Sequence, residues 1–586
     1  MGLDAVVADE IVALAGRLDE GERLHRLFAA DWDYAMREYP EAATWFGYPG
    51  QNNRWTDVSL DAIDRRNREL ENPRRVLATI DRARLSPSDQ VHHDLFARGV
   101  DEALEGRRFR AELMPVSQME GVQQSVAQLL AMMPAVTTSD YEDILARLRG
   151  IPALVDQTIT LMRAGLGEGR TPPRVTLRDV PQQVRNQILD DPLVSPMLAA
   201  FARVPEGVRA GGPLREEAAA AFADGVIPAF RRLLSFLEAD YIPRTRETIA
   251  ASGLPDGAAY YAYKVRQSTT TGLTPREIHD IGLAEVQRIR GEMDAVMAST
   301  GFAGSFADFV HFLRTDPRFF FERPEDLLVA YRDICKRADP VLPRLFGTLP
   351  RLPYGVVPVP AYAEKSQTTA YYEPGSPAAG RPGQFFANTY DLNARPRWEM
   401  EALSLHEAVP GHHLQIALAQ EMPDMPEFRK HSFYTAYVEG WGLYAESLGG
   451  EMGFYKDPYA RFGQLTYEMW RAIRLVVDTG MHALGWSRPQ AIDYFVANAG
   501  KAEHDIVVEI DRYIVWPGQA LAYKIGELKI KELRALAAGA LGERFDVRAF
   551  HDQVLGSGAL PLDVLEARIG EWIAAGRAAP SPRPRP

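Results

Sequence analysis

Glu401-Ala402-Leu403-Ser404-Leu405-His406-Glu407-Ala408-Val409-Pro410-Gly411-His412-His413-Leu414-Gln415 is the stretch on which the reading of this chain turns. Two histidines one helical turn apart can hold a metal ion. A glutamate beside the first can then act as a general base. His406 and Glu407 supply the start of such a pattern, but the residue four positions after His406 is Pro410, so the plain H-E-x-x-H spacing is absent.

Helix geometry shows what must give. At about 100° per residue, a histidine four positions on lies about 40° round the helix from the first. His412 would point about 120° away, whereas His413 would return to within about 20°. An unbroken helix therefore favours His413. Pro410 opposes an unbroken helix, because it lacks an N–H and its ring clashes with the carbonyl of His406. Gly411 then permits an unusual backbone. If the Pro-Gly pair is accommodated as a bulge, His412 takes the place of the fourth-on histidine. Geometry alone leaves His412 and His413 open.

The segment resembles the signature H-E-x-x-P-G-H-x-x-Q of the bacterial domain-of-unknown-function family 885, whose members look like distant relatives of gluzincin metallopeptidases. His406, Glu407, Pro410, Gly411, His412 and Gln415 match it position by position. The resemblance implies His412 as the second ligand. A third ligand is expected on a following helix. Val438-Glu439-Gly440-Trp441-Gly442-Leu443-Tyr444-Ala445-Glu446 carries the family's E-G-W-x-L-Y-x-E run. Glu439 is the expected ligand, with Glu446, one heptad on and on the same face, as the runner-up. Two histidines and one carboxylate leave a coordination position open for water, as a catalytic zinc site needs.

Further matches to the family include Leu254-Pro255-Asp256-Gly257, Asn388-Thr389, Arg474 through Gly480, and Arg512-Tyr513 through Trp516-Pro517-Gly518 to Tyr523-Lys524. Glu407 is expected to be the base. Tyr523 is expected to donate to the developing oxyanion, and Arg512, Tyr513, Lys524 and Asn388 to bind substrate. Arg474, Asp478 and His482 share a helical face. Asp478 is a candidate to orient a ligating histidine, a structural ion-paired face being the alternative. His413, His431 and His504 are read as structural.

Outward from this centre, helical patterns dominate. Thr274-Pro275-Arg276-Glu277 combines a capping box with proline at the first helical position. Ile278, Gly282, Val286, Ile289 and Met293 then recur at helical spacing. Further amphipathic runs lie near Ala8–Arg37, Tyr141–Arg163, Leu214–Leu237 and Leu327–Arg337. Between Tyr354 and Tyr390, β-rich pieces at Val356–Val359, Thr368–Tyr372 and Gln384–Asn388 are separated by Pro/Gly loops, which predicts a small sheet beside the metal helix. In gluzincin-like peptidases an edge strand holds the substrate extended, and Gln384–Asn388 is the candidate for it. The expected fold is mainly α and zincin-like. Residues 1–250 form a helical lobe, 251–578 a catalytic lobe, and 579–586 a Pro/Arg-rich disordered tail.

Composition narrows the function. With 66 Lys plus Arg against 79 Asp plus Glu, the net charge is −13, and no Lys/Arg cluster is large enough to grip nucleic acid. No apolar run reaches the length of a membrane span, and the first residues lack an export signal, so a cytoplasmic location is expected although family members are often exported or lipid-anchored. The single cysteine, Cys335, is read as a buried small hydrophobe. Together these features predict a Zn2+-dependent, carboxypeptidase-like enzyme acting on short peptides. The alternatives are a zinc hydrolase of a non-peptide amide and a helical binding scaffold with a degenerate metal site. Oligomeric state stays open, a homodimer being one option.

Overall fold

Residues 1–586 are described by a computed structural model except for 203, 206–207, 209–210, 361–363, 365–367, 377–379, 424, 502 and 579–586. The expected tail at 579–586 lies outside the described residues. The chain divides into two compact units.

The first unit holds Met1–Tyr260 with Pro426–Phe428. The run Ala8–Arg37 is not one helix. It breaks before Asp19, whose carboxylate caps a new helix, α1 (Glu20–Glu38), by accepting from the Gly21 amide. Leu24, Leu27 and Phe28 of α1 pack with Phe96 and Val100 of α2 (Pro87–Gly106) in one core. A second core surrounds α3 (Thr138–Glu168), which starts at a Thr137/Asp140 capping box and stops at Gly169 in the left-handed region. The boundary expected at residue 250 lies inside this unit. Tyr260 still packs here, its ring 5.4 Å from that of Phe109.

The second unit holds Tyr261–Met425 and Arg429–Pro586. Its helix α4 (Pro275–Ser299) opens at the expected capping box between Thr274 and Glu277, and it buries Ile278, Gly282, Val286, Ile289 and Met293. Helix α5 (Pro324–Ala338) buries Cys335, and burial pushes that thiol up to about 12. A three-stranded sheet follows: β1 (Tyr354–Pro358), β2 (Ala370–Glu373) and β3 (Gly383–Ala387), in the order β1-β3-β2. β3 runs parallel to β1, with Val356 opposite Phe385, and antiparallel to β2, with Tyr372 opposite Phe385.

This order corrects the expected edge strand. Gln384–Asn388 belongs to the central strand, whose Phe385 and Ala387 are wholly buried and whose backbone is paired on both sides. An apolar strand of that kind gains most from the middle of a sheet. The strand packed beside the metal helix is β2, at an edge. Asn388 is corrected too. Its side-chain amide donates to the carbonyls of Glu364 (2.7 Å) and Thr368 (3.1 Å), its oxygen accepts from the Tyr390 amide, and only 1% of it is exposed. It fastens loops and does not face a substrate.

The remaining helices frame the site: α6 (Met400–Glu407), α7 (His412–Gln420), α8 (Thr435–Met452), α9 (Pro458–Ala483), α10 (Glu503–Val515) and α11 (Ala522–Leu541). α9 lies along α4, and α8 along α11. Gly440 and Gly526 meet where α8 crosses α11, and a Cβ on Gly526 would stand 1.8 Å from the Ala436 carbonyl oxygen.

The register of α4 is testable. Ile289→Ala, at a fully buried position, should cost about 2–5 kcal/mol, whereas Leu283→Ala, on the exposed face, should change stability by less than about 0.5 kcal/mol. Urea unfolding of the two variants beside wild type measures both, and equal effects would contradict this packing.

Candidate metal centre

The sequence allowed a bulge in a continuing helix, and the chain instead stops and restarts. α6 ends at Glu407, Ala408 leaves helical geometry at φ −96°, ψ −111°, and α7 begins at His412. The Val409–Pro410 peptide bond is cis. Pro410 cannot continue the helix, so residues 408–411 form a connecting turn. The His413 amide donates across it to the Ala408 carbonyl at 3.1 Å. Gly411 passes so close to α6 that a Cβ there would lie 1.9 Å from the His406 carbonyl oxygen. The turn brings the rings of His406 and His412 to 4.6 Å between centroids, nearly perpendicular.

Glu439, the fifth residue of α8, meets both rings. Its Oε2 is 3.5 Å from His406 Nε2 and 3.6 Å from His412 Nε2. One donor atom from each of the three residues lies within 4.8 Å of the others. Donors at zinc-ligand distances on a tetrahedron stand about 3.3–3.4 Å apart, so the donor set and its spacing fit a zinc ion. Burial works against the Glu439 carboxylate, but hydrogen bonds from His406 and His412 hold its pKa well below the ordinary range. Burial likewise opposes charge on His406, and Glu439 with Glu446 overcomes it, raising that histidine to about 9.

His413 turns elsewhere. Its Nε2 donates to the Leu352 carbonyl (3.0 Å), so Nδ1 accepts from the Tyr372 hydroxyl (2.9 Å). Burial lowers its pKa to about 4. Both nitrogens are committed to protein partners, and it is His412 that groups with His406 and Glu439.

Helix α8 supplies further groups besides Glu439. Glu446, fully buried, accepts from His406 Nδ1 at 2.7 Å and thereby presents Nε2 towards Glu439. The runner-up ligand thus stands behind the His406 ring and not among the three grouped donors. The Trp441 indole donates to the Pro410 carbonyl at 2.8 Å. Gly442 makes room for a ligand, since a Cβ there would lie 2.7 Å from His406 Cε1. Among the described residues His412 Nδ1 is buried without a hydrogen-bond partner.

Asp478 does not orient a ligand. It accepts from the Tyr261 hydroxyl (2.6 Å) and the Gly518 amide (3.1 Å), fixing the Trp-Pro-Gly turn, and burial raises its pKa to about 7. His482 bonds the Tyr513 carbonyl, and Arg474 bonds the Tyr513 hydroxyl and Glu509.

The sequence pattern of the bacterial proteins of unknown function DUF885 matches residues 40–569. The chain belongs to that family. Its structure is similar to that of a "putative lipoprotein" from Colwellia psychrerythraea, with a TM-score of 0.89 and 28% identity over 95% of this chain and 100% of that one. A "putative lipoprotein of unknown function" from Shewanella oneidensis shares the fold, with a TM-score of 0.68 and 15% identity over 93% of this chain and 99% of that one. No curated protein matches. Among the described residues no helix is long and apolar enough to cross a membrane.

The other expected site residues of this DUF885 chain divide into free and committed groups. Glu407 has no hydrogen bond or ion pair among the described residues, in contrast to Glu439 and Glu446. The Tyr523 ring faces the guanidinium of Arg474 at 4.5 Å and that of Arg471 at 5.9 Å. Lys524 is the clearest correction. It is wholly buried, with Nζ between Glu527 (2.6 Å), Glu468 (2.8 Å) and Glu285 (2.9 Å). A lysine so enclosed balances buried carboxylates and does not reach a substrate. Tyr513 is corrected as well. Its buried hydroxyl donates to Glu509 and accepts from Arg474 and Trp470. Arg512 pairs with Glu509 (3.4 Å) and Gln519 (3.0 Å), at the rim of the same cluster.

Two measurements follow from this geometry. His412→Ala should lose bound zinc and His413→Ala should keep it, by elemental analysis of chelator-free preparations; the reverse would place the second ligand at 413. Glu446→Gln should keep the fold and weaken zinc by about 10–100-fold, the usual cost of a lost orienting partner, in competition with a chromogenic chelator.

Proposed function

We propose that this protein is a zinc-dependent peptidase of the gluzincin type, carboxypeptidase-like and acting on short peptides. The observation that carries the reading is the pairing of a compact His406-His412-Glu439 donor set with a neighbouring carboxylate, Glu407, that has no hydrogen bond or ion pair among the described residues. Held there, zinc would supply Lewis-acid polarisation of a scissile carbonyl and acidify a water at its open position.

The residues of the chain do the rest. Glu407 follows His406 directly, so on the helix it points about 100° away from that ligand. It accepts the proton of the attacking water and returns it to the leaving amine. Tyr523, whose hydroxyl has no hydrogen bond among the described residues, donates to the oxyanion that develops on the carbonyl. β2, at the edge of the sheet beside α6, takes over the role first given to β3 and pairs the substrate in extended form. A zincin relationship is supported by this grouping of helix, edge strand and third ligand on a following helix. A cytoplasmic location is kept as part of the proposal. Fractionation of the native host tests it against the lipid-anchored state that the names of the Colwellia and Shewanella chains suggest.

The experiment separates base from ligand. Glu407→Gln should retain about one zinc per chain while peptide hydrolysis falls by about 10²–10⁴. Glu439→Gln should lose zinc or exchange it readily. Zinc content and hydrolysis are measured on the same preparations. Wild-type turnover by Glu407→Gln, or wild-type protein free of metal, would overturn the reading.

A further inference from the structure

The face of α9 behind His406 carries two arginines one turn apart, Arg471 and Arg474. Both are more than nine-tenths buried, at 8% and 6% exposure. Each has a buried donor without a partner among the described residues: Nε of Arg471 and Nη1 of Arg474. Arg471 is the less satisfied. Its one hydrogen bond among the described residues runs from Nη1 to the Tyr467 carbonyl of its own helix, at 3.2 Å. Glu446 Oε1 lies 3.6 Å from its Nη2 and is already the acceptor for His406, while Glu446 Oε2 is buried without a hydrogen-bond partner among the described residues.

The other acidic side chains beside these cations are shared. Glu509 is shared between Arg474 and Arg512, and Glu399 pairs with Lys501 at 2.6 Å. Among the described residues Arg471 thus has only Glu446 as an ion partner, and shares it with His406. Arg512 adds a third unpartnered buried donor, Nε. Buried guanidinium donors without acceptors are costly, and a forked donor best matches a planar, singly charged oxyanion. Both arginines lie against the ring of Tyr523, and Lys501 stands over the rings of Tyr467 and Trp470 at 5.0 Å each. Arg471 is only one carboxylate removed from a metal ligand.

We propose that Arg471 and Arg474, beside Tyr523, form a carboxylate-binding subsite that selects substrates by a carboxylate beside the scissile bond. The proposal rests on the peptidase reading and makes it specific. Lys524, which the sequence had offered for such a role, is sealed among its own carboxylates. Arg471 and Arg474 hold the unsatisfied donors instead. The carboxylate can come from a free peptide C-terminus or from an Asp or Glu side chain, and the C-terminus is the source that makes the enzyme a carboxypeptidase.

Three pools of N-acetylated pentapeptides test this: pool one lacks Asp and Glu and has free C-termini, pool two is its carboxamide, and pool three is a carboxamide pool containing Asp or Glu. Wild type should cleave the first pool about 10–100-fold faster, in kcat/KM, than the second, the range expected for a charged hydrogen-bonded contact. Cleavage of the third pool in place of the first would assign the subsite to acidic side chains. Arg471→Gln should bring the ratio of first to second pool towards one with zinc content unchanged, and Arg471→Lys should restore part of it. Equal cleavage of all three pools by wild type overturns the proposal and needs no variant, so it holds even if Arg471→Gln fails to fold. An Arg471→Gln protein that folds and keeps the wild-type ratio also overturns it. Should wild type cleave none, calorimetric titration of the Glu407→Gln protein with the free-acid and carboxamide pools decides. Tighter binding of the acids supports the subsite while the peptidase reading fails, and equal binding sinks both.

Discussion

The hydrogen bond from the Trp441 indole to the Pro410 carbonyl joins the parts of the centre that the chain would otherwise leave separate. A proline in the middle of a ligand-bearing helix frees backbone groups that cannot pair within the helix, and a buried carbonyl must then find a donor elsewhere. Helix α8 brings that donor, and with it Glu439 two residues earlier, the gap at Gly442 one residue later, and Glu446 below His406. The spacing of the E-G-W-G motif follows from these simultaneous demands on one helical face and its neighbours. One tryptophan thereby couples the register of α8 to the place where α6 stops.

Much of this was legible in the sequence, for local reasons. The capping box at Thr274, the strand pieces around Val356, Tyr371 and Phe385, and the incompatibility of Pro410 with a helix are written into neighbouring residues. The grouping of His406, His412 and Glu439 followed from motif resemblance, while helical geometry alone could not choose between His412 and His413. What decided against His413 was Tyr372 and the Leu352 carbonyl, both remote in sequence.

The misread residues share a cause. Lys524, Asn388 and Tyr513 carry polar groups suited to gripping a ligand, and each meets its partners through tertiary packing. Glu285 lies 239 positions before Lys524 (524 − 285), so nothing nearby in the chain reveals that the lysine is enclosed. β3 was taken for an edge because strand order depends on which piece pairs twice, and alternation alone does not encode that. Glu446 shows the converse. Its heptad spacing from Glu439 was visible, but only the direction of the His406 ring separates a ligand from the group that aims one.

The break at residues 408–411 also bears on how centres of this kind are found. His406 and His412 hang from two different helices, so their separation along the chain is set by the turn between them and not by the helical repeat. A search of genomes for paired histidines at the four-residue interval passes over such a centre entirely.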